Sequence, residues 1–355
     1  MTKLSTRLAA LAFAATIVSA LSMPARAADV SEVCRTSPHR TGGAASEAPD
    51  VCAVIETATG TGNTRLLDLR AAVDELAAAA DRADFVLLGE IHDNPSHHRI
   101  RGQLILAIAA RRAKTQRPPP GLVLEHIRAD QALALVGFRT VDKVQRRTVD
   151  DLFKALDWGK SGWPDAGLFR PMLSAALDAE WPLLHGNLTR EAIRSVARGG
   201  TAALDADEAK RLGLDVGLGN DSEKDLLDEL VESHCGLMPR TALAALADAQ
   251  RYRDAYMAAQ LVDAAKTYDG AVLLAGNGHV RADRGVPWHL KRMAPDKRML
   301  VVTFAQASAE HAETLSYVQR GSDGRPVADY VVVTPRVERP DPCEAMRKRF
   351  SAPKQ

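Results

Sequence analysis

Residues 84–93 of this chain read DFVLLGEIHD, and this stretch determines how we interpret the rest. Four consecutive apolar residues, 85–88, stand between an aspartate and a glycine, which is typical of a short buried strand. Gly89, Glu90 and His92 follow at once. Because ligands bind outside the carboxyl ends of the strands in open α/β sheets, ionisable residues in this position indicate a functional site.

Two further apolar strands end in the same way. Residues 122–124 (LVL) lead into Glu125 and His126, and residues 271–275 (AVLLA) lead into GNGH at 276–279. Short apolar strands alternate with helical segments along the chain, which predicts an α/β domain with a mostly parallel central sheet flanked by helices. We therefore expect the three strand tips to meet in space, although they are far apart in the sequence.

The composition is that of an ordinary folded protein. The chain has 355 residues, of which 46% are hydrophobic and 26% charged, so it is long enough to bury a full core. Its 46 Lys and Arg residues against 45 Asp and Glu residues leave a formal net charge of +1. This balance lacks the basic excess of nucleic-acid-binding proteins, and we expect no nucleic acid partner.

The N-terminus predicts export. Lys3 and Arg7 precede an apolar run over residues 8–21, and an Ala-x-Ala sequence follows at residues 25–27, which is the pattern of a cleaved signal peptide. We assign residues 1–27 to this peptide; an uncleaved membrane anchor is the alternative. No cysteine stands directly after the cleavage point, so we expect no lipid attachment and a periplasmic location.

The remainder divides into three parts. Residues 28–65 predict an irregular N-terminal arm, residues 66–335 the α/β domain, and residues 336–355 a charged C-terminal tail. An oxidising compartment favours disulfides among the four cysteines, and we expect the pairs Cys34–Cys52 and Cys235–Cys343. None of the four stands in a C-x-x-C motif, which argues against thioredoxin-type chemistry.

The strand tips supply the candidate chemistry. Glu90 and His92 alternate with Ile91, so they project to one side of an extended backbone, and a carboxylate beside an imidazole suits metal binding or proton transfer. With Glu125 and His279 from the other tips they form the candidate catalytic set. Glu90, His92 and His279 are also candidate ligands of a divalent metal ion. The alternative is a Glu–His pair that closes a strand end without chemistry.

Two helical segments supply candidate residues for a larger ligand. His97 and His98 lie at a predicted helix start, where the helix dipole favours anions. Arg253 belongs to a polar stripe on a helix and suits a carboxylate, while Tyr252 and Tyr256 beside it offer phenolates, which ligate ferric haem. Solvated helix faces and packed aromatic rings are the alternatives to these roles.

A loop over residues 157–164 (DWGKSGWP) contains two of the four tryptophans. Such a loop suits a flat apolar ligand, and the alternative is a loop pinned by its own tryptophans. The Gly-x-Ser-x-Gly and His-Glu-x-x-His motifs are absent, which argues against the familiar serine hydrolase and zincin mechanisms.

The motifs of this chain resemble, in order, those of the ChaN-like haem-binding uptake proteins of the Tiki/TraB/erythromycin-esterase-like superfamily. That superfamily is marked by two Gly-x-x-His motifs and an intervening Glu, here Gly89–His92, Gly276–His279 and Glu125. Further matching motifs are WP (163–164), NLxR (187–190), HCGxMP (234–239), QxxRDAxMA (250–258) and AGNGHxRxDRGVP (275–287).

The resemblance implies an EreA/ChaN-like α/β fold and an exported protein of haem-iron uptake that binds haem non-covalently. It also brings in a homodimer and an outer-membrane haem receptor as partners. Because the superfamily contains metal-dependent peptidases and esterase-like enzymes, a metal-dependent hydrolase stays open, with a carboxylate as general base on metal-bound water. A scaffold that binds a partner protein is the third alternative.

Overall fold

The computed structural model describes residues 51–57, 64–65, 69–140, 147–308 and 313–351. The strands within these ranges are β1 (Ala53–Glu56), β2 (Thr64–Arg65), β3 (Phe85–Leu88), β4 (Gly121–Arg128), β5 (Leu183–Asn187), β6 (Ala271–Leu274), β7 (Met299–Gln306) and β8 (Tyr330–Thr334). They form a sheet in the order β2-β1-β8-β7-β3-β6-β4-β5.

The middle of the sheet is parallel. β3 pairs in parallel with β6 and β7, β4 with β5 and β6, and β7 with β8. Antiparallel pairs join β1 to β8 and β2 to β1. The predicted α/β class with a mostly parallel sheet is therefore confirmed.

Helices cover both faces of the sheet. They are α1 (Leu69–Ala80), α2 (Pro95–Lys114), α3 (Ala132–Thr140), α4 (Val149–Ala155), α5 (Ala166–Asp178), α6 (Arg190–Gly199), α7 (Ala206–Arg211), α8 (Asn220–Ser233), α9 (Arg240–Thr267), α10 (Asn277–Val280), α11 (Val286–Met293) and α12 (Pro342–Ser351). None of the helices in the described ranges combines the length and the apolar character that crossing a membrane requires.

Two apolar clusters attach these helices to the sheet. Val86 and Leu88 pack on one face with residues of α1, α2 and α5, whereas Phe85 and Leu87 pack on the other with residues of α9 and α11. Because both faces of the central strands are covered, those strands carry apolar side chains at successive positions instead of alternating with polar ones. This is the physical reason for the uninterrupted apolar runs in the sequence.

The start of α2 fixes the chain directly after His92. Asn94 is the N-cap: its side-chain oxygen accepts from the backbone N–H groups of Ser96 (2.9 Å) and His97 (3.4 Å), and Pro95 occupies the first helical position. The turn between β3 and α2 is thereby held short, and its polar side chains stay at the carboxyl edge of the sheet.

The two ends of the described chain carry more structure than the sequence predicts. Within the predicted arm, Ala53–Glu56 forms β1 and pairs with β8. In the predicted tail, residues 342–351 form α12. Neither β1 nor α12 has a strong local sequence pattern. β1 pairs with β8, and α12 is joined to the rest of the chain by the disulfide of Cys343.

The predicted Cys235–Cys343 disulfide is confirmed, with the two Cα atoms 5.6 Å apart. Cys52 is also disulfide-bonded. Its predicted partner Cys34 and the predicted signal peptide, residues 1–27, lie outside the described residues, so both stay predictions.

Candidate functional site

The three strand tips meet because β6 lies between β3 and β4 in the sheet. Gly276, directly after β6, lies against the tips of both neighbours. A Cβ at this position would be 3.0 Å from both Cε1 and Nε2 of His92 and 3.7 Å from Oε2 of Glu125. A Cβ here would therefore press on the His92 ring, which would have to shift by a few tenths of an ångström.

Glu90 is the centre of a first buried cluster. Its Oε1 accepts from His92 Nδ1 at 2.5 Å and from His126 Nε2 at 2.9 Å. The ligand atoms of these three side chains lie within 4.8 Å of one another, close enough to hold one metal ion. His126 directly follows Glu125 in the sequence, but we did not predict it as a site residue.

Arg101 neutralises the other side of this carboxylate. It is completely buried on α2 and forms an ion pair with Glu90, while its Nη2 also donates to His98 Nδ1 at 2.8 Å. Burial lowers the pKa of this guanidinium to about 9, with Glu125 opposing the shift. The sequence carried a signal that we missed, because Arg101 occupies a core-facing position of α2 between Ile100 and Leu104.

Glu125 is the centre of a second cluster. One carboxylate oxygen forms an ion pair with Arg253 and lies 3.2 Å from His279 Nε2, and the other accepts from the backbone N–H of Gly276 at 2.7 Å. Burial raises the pKa of Glu125, but the charges of His279 and Arg253 outweigh it and hold that pKa well below its usual range. Glu125 is therefore ionised.

His279 uses both ring nitrogens inside this second cluster. Its Nε2 faces Glu125, and its Nδ1 lies 2.5 Å from Asp254 Oδ1. Burial lowers the pKa of the imidazole, but the two carboxylates outweigh burial and raise it to about 9. The ring is an imidazolium at neutral pH and a proton donor. A metal ligand needs a deprotonated ring nitrogen, which an imidazolium does not have. The third side chain beside Glu90 and His92 is His126, whereas the sequence predicted His279.

His92 is the part of the site that reaches solvent. Its side chain is 37% exposed, and burial of the remainder lowers the pKa, so the ring is neutral at pH 7. Glu90 holds Nδ1, while Nε2 has no hydrogen-bond partner among the described residues. A carboxylate on one nitrogen and an available lone pair on the other is the arrangement of a metal-ligating histidine.

Of the two tryptophans of the predicted loop, Trp163 lies beside His92, and Trp158 lies deeper, beside Phe169. The Trp163 ring lies 4.9 Å from the His92 ring, and its Nε1 donates to the His126 carbonyl at 3.1 Å. Trp158 packs against Phe169 at 4.8 Å. A cleft of about 570 Å³ opens along these side chains and is lined by Trp158, Trp163 and their loop neighbours. The predicted loop for a flat ligand therefore borders the strand-tip site.

His97 and His98 are buried and use both ring nitrogens within the protein. His97 Nδ1 accepts from the Ile91 N–H at 2.9 Å, and Nε2 contacts Thr334 Oγ1 at 3.0 Å. His98 donates from Nε2 to the His92 carbonyl at 2.8 Å. Burial lowers the pKa of His97 to about 3 and that of His98 to about 4. These rings hold the turn around His92, and their predicted ligand roles stay predictions.

The predicted residues of α9 separate into two environments. Arg253 belongs to the Glu125 cluster, as described above. Tyr252 is buried in an apolar cluster with residues of α6, and Tyr256 is half-buried with its hydroxyl 3.4 Å from His185 Nδ1. The phenolate roles stay predictions, and Tyr256 is the more accessible of the two.

Known proteins show similarity to this chain. The family model described as "Haem-binding uptake, Tiki superfamily, ChaN" matches residues 76–290. Among solved structures, ChaN of Campylobacter jejuni, solved with cofacial haem binding, has a TM-score of 0.58 at 20% identity and covers 80% of this chain and 98% of its own. A search of the curated proteins found no match.

Two further structures have lower TM-scores. The type III effector HopBA1 has a TM-score of 0.39 at 13% identity, covering 75% of this chain and 94% of its own. A mutant of the erythromycin esterase EreC in its open conformation has a TM-score of 0.38 at 15% identity, covering 84% and 87%. TM-scores this low show nothing about the function of this chain.

Proposed function

Since the chain belongs to the haem-binding uptake family of the Tiki superfamily, as its motifs predict, we propose that it binds haem non-covalently and serves haem-iron uptake. The name of the family and the cofacial haem binding of ChaN from Campylobacter jejuni support the choice of haem as the ligand. The residues of the site must then supply an iron ligand, an apolar surface for the macrocycle and a cation for a propionate.

The exposure and the hydrogen bonding of His92 are the observation that supports this proposal most directly. His92 is a partly exposed, neutral imidazole at the mouth of an otherwise buried site, with Nδ1 held by Glu90 and Nε2 available. Histidine is a common axial ligand of haem iron, and a carboxylate on its other nitrogen raises the basicity of the ligand. When bound, haem would supply its iron at Nε2, and Glu90 would fix the orientation of the ring.

Trp163 offers an aromatic surface beside His92 for a flat ligand, since the two rings lie 4.9 Å apart. A cleft on the other side of this loop is lined by Trp158 and Trp163, and its volume is within the range of small-molecule sites, which is roughly 300–1,000 Å³. Arg253 is our candidate for a propionate, because its Nη1 has no hydrogen-bond partner among the described residues while Glu125 and Asn187 hold its other nitrogens. His92, Trp163 and Arg253 are thus our candidates for the three elements that haem binding requires.

A haemin titration followed by Soret absorbance tests this proposal. We expect the wild-type protein to give a saturable shift, and His92→Ala to weaken the affinity by at least about tenfold, the loss of about 1.4 kcal/mol. His234→Ala, a histidine half-buried at the end of α8, is the matched control and should bind as the wild type does. The absence of a saturable shift in the wild type would refute haem binding.

The same titration distinguishes the predicted ligands. An unchanged spectrum for His92→Ala together with a shifted spectrum for Tyr256→Phe would move the iron ligand to the phenolate of α9. His97 and His98 become candidates only if neither variant changes the spectrum, because both would first have to leave their internal hydrogen bonds.

A metal-dependent hydrolase is the second candidate, and the grouping of Glu90, His92 and His126 favours it. A divalent ion bound there would supply Lewis acidity, and a protonated His279 would serve as a proton donor. Arg101 opposes this candidate, since its buried positive charge already neutralises Glu90. We expect Glu125→Gln to lose peptidase or esterase turnover and keep its metal; a metal-free, inactive wild type would refute the candidate.

We also propose a periplasmic location for the mature chain, with a homodimer and an outer-membrane haem receptor as partners. The predicted signal peptide supports the location, and the disulfide between Cys235 and Cys343 suits an oxidising compartment. Cell fractionation and light scattering of the haem-loaded protein test these two proposals. Recovery in the cytoplasm, or a monomer at every haem concentration, would contradict them.

A further inference from the structure

The segment after β8, residues 335–343, follows the carboxyl edge of the sheet beside the site, and we call it the strap. It begins at Pro335, whose carbonyl accepts from Asn94 Nδ2 at 3.4 Å, and ends at Cys343 in the disulfide with Cys235. It lies outside residues 76–290, which match the family model.

An ion pair holds the strap next to His92. Both nitrogens of the Arg339 fork contact the Asp93 carboxylate, Nε at 2.5 Å and Nη2 at 2.6 Å, and Nη1 donates to Gln306 Oε1 at 2.8 Å. Bidentate pairs of this kind fix geometry more strongly than single contacts. The bond from Arg339 is also the main reason for the lowered pKa of Asp93, so the carboxylate stays charged.

The far end of the strap is attached to α8. Cys235 lies two residues after this helix, and Glu229 within the helix forms an ion pair with Arg284. A Cβ at Gly278 would be 3.9 Å from Glu229 Oε1, so α8 borders the short helix α10, which carries His279. The strap thus follows the tips of β8, β7 and β3 and ends on the helix that borders the tip of β6.

The strap has few ways to move while both attachments hold. Pro340 and Pro342 restrict its backbone, and the disulfide joins residues 108 positions apart in the sequence. The pair between Arg339 and Asp93 is partly exposed and therefore weak on its own. The disulfide keeps the two groups close together, so that a broken pair forms again.

We propose that the strap is a gate that limits access to His92 and slows the exchange of a ligand bound there. Limited access to His92 is a property of the protein alone, whereas slower ligand exchange rests on the proposed haem function. Freeing either attachment should open the gate. Access and exchange therefore need separate measurements on the same variants.

Modification of His92 by diethyl pyrocarbonate measures access without any ligand. The variants are Arg339→Gln and the double variant Cys235→Ser/Cys343→Ser, and Arg325→Gln, which loses an exposed pair with Asp323, is the matched control. We expect His92 to react about fivefold faster in both strap variants, because an exposed ion pair contributes up to about 1 kcal/mol, which corresponds to that ratio. In the control variant it should react at the wild-type rate. Tandem mass spectrometry assigns the modified ring.

Haemin dissociation from the same proteins measures exchange. Faster release from both strap variants, in parallel with the modification rates, would support the gate and the haem site together. Faster modification with no haemin binding in any variant would support the gate and refute the haem function. Wild-type modification rates in both strap variants, with circular dichroism showing intact folds, would overturn the gate; the single variant keeps the test decisive if the double variant does not fold.

Discussion

The protonation of His279 should make this protein less stable as the pH rises from about 6.5 to about 9. The folded-state pKa of His279 is raised from 6.5 to about 9, against burial, by Glu125 and Asp254. A raised pKa means that the folded protein holds the proton more tightly than the unfolded chain does. The resulting stabilisation is complete below pH 6.5 and is lost as the pH rises through 9.

The size of the effect follows from that difference in pKa. One pH unit corresponds to about 1.4 kcal/mol, so the proton on His279 contributes about 3 kcal/mol to the free energy of unfolding. Solvent screening reduces this little, since the side chain is only 6% exposed. The histidines with lowered pKa values change the free energy of unfolding only below about pH 6.5; they are His92, His97, His98, His126, His185 and His289. Burial lowers the pKa of Arg101 to about 9, so its titration raises the free energy of unfolding toward and above pH 9, opposite to His279.

Urea unfolding followed by circular dichroism at pH 6.5, 7.0, 7.5, 8.0 and 8.5, below the titration of Arg101, measures the effect. We expect the free energy of unfolding of the wild type to fall across this series and that of His279→Gln to stay level. His289→Gln is the matched control, because this histidine is also buried but burial lowers its pKa to about 3. A level wild-type curve, or a His279→Gln curve that keeps the slope, would refute the reasoning.

Three further predictions concern the first cluster and its surroundings. Gly276→Ala should weaken haemin binding by about tenfold or more with little change in melting temperature, because the new Cβ displaces the His92 ring; wild-type affinity would contradict this. Trp163→Phe should lower the free energy of unfolding by about 1 kcal/mol through the lost bond to the His126 carbonyl, and an unchanged urea midpoint would count against it. Arg101→Met should cost about 3–5 kcal/mol, since it leaves a buried carboxylate without its cation; a loss below about 1 kcal/mol in urea unfolding would show that Arg101 is not its essential partner.

Local patterns predicted the parts of the fold that are decided locally. The runs at residues 85–88 and 271–275 are apolar at every position because helices cover both faces of the sheet, and periodicity detects that directly. The tips after them carry Glu90, His92 and His279, which the structure brings together at one edge. The disulfide between Cys235 and Cys343 was also predictable, since four cysteines allow few pairings and the N-terminus predicts an oxidising compartment.

The partners of each site residue were decided by the tertiary structure. Which strand lies between which others is set by packing of the whole sheet, and the position of β6 between β3 and β4 is what places Gly276 against His92. The same arrangement places His279 against Glu125 and Asp254, where it is a buried proton donor. It also places His126 against Glu90. A sequence shows which side chains are available but not their burial.

The sequence by itself thus determined the fold class, the family and the edge of the sheet that carries the chemistry, because these depend on periodicity and on motifs of neighbouring residues. Only the tertiary structure decided the charge of each group, the solvent access of His92, the buried role of Arg101 and the attachments of the strap. These properties depend on distances between residues far apart in the chain, and on the low dielectric around them, which no local pattern contains.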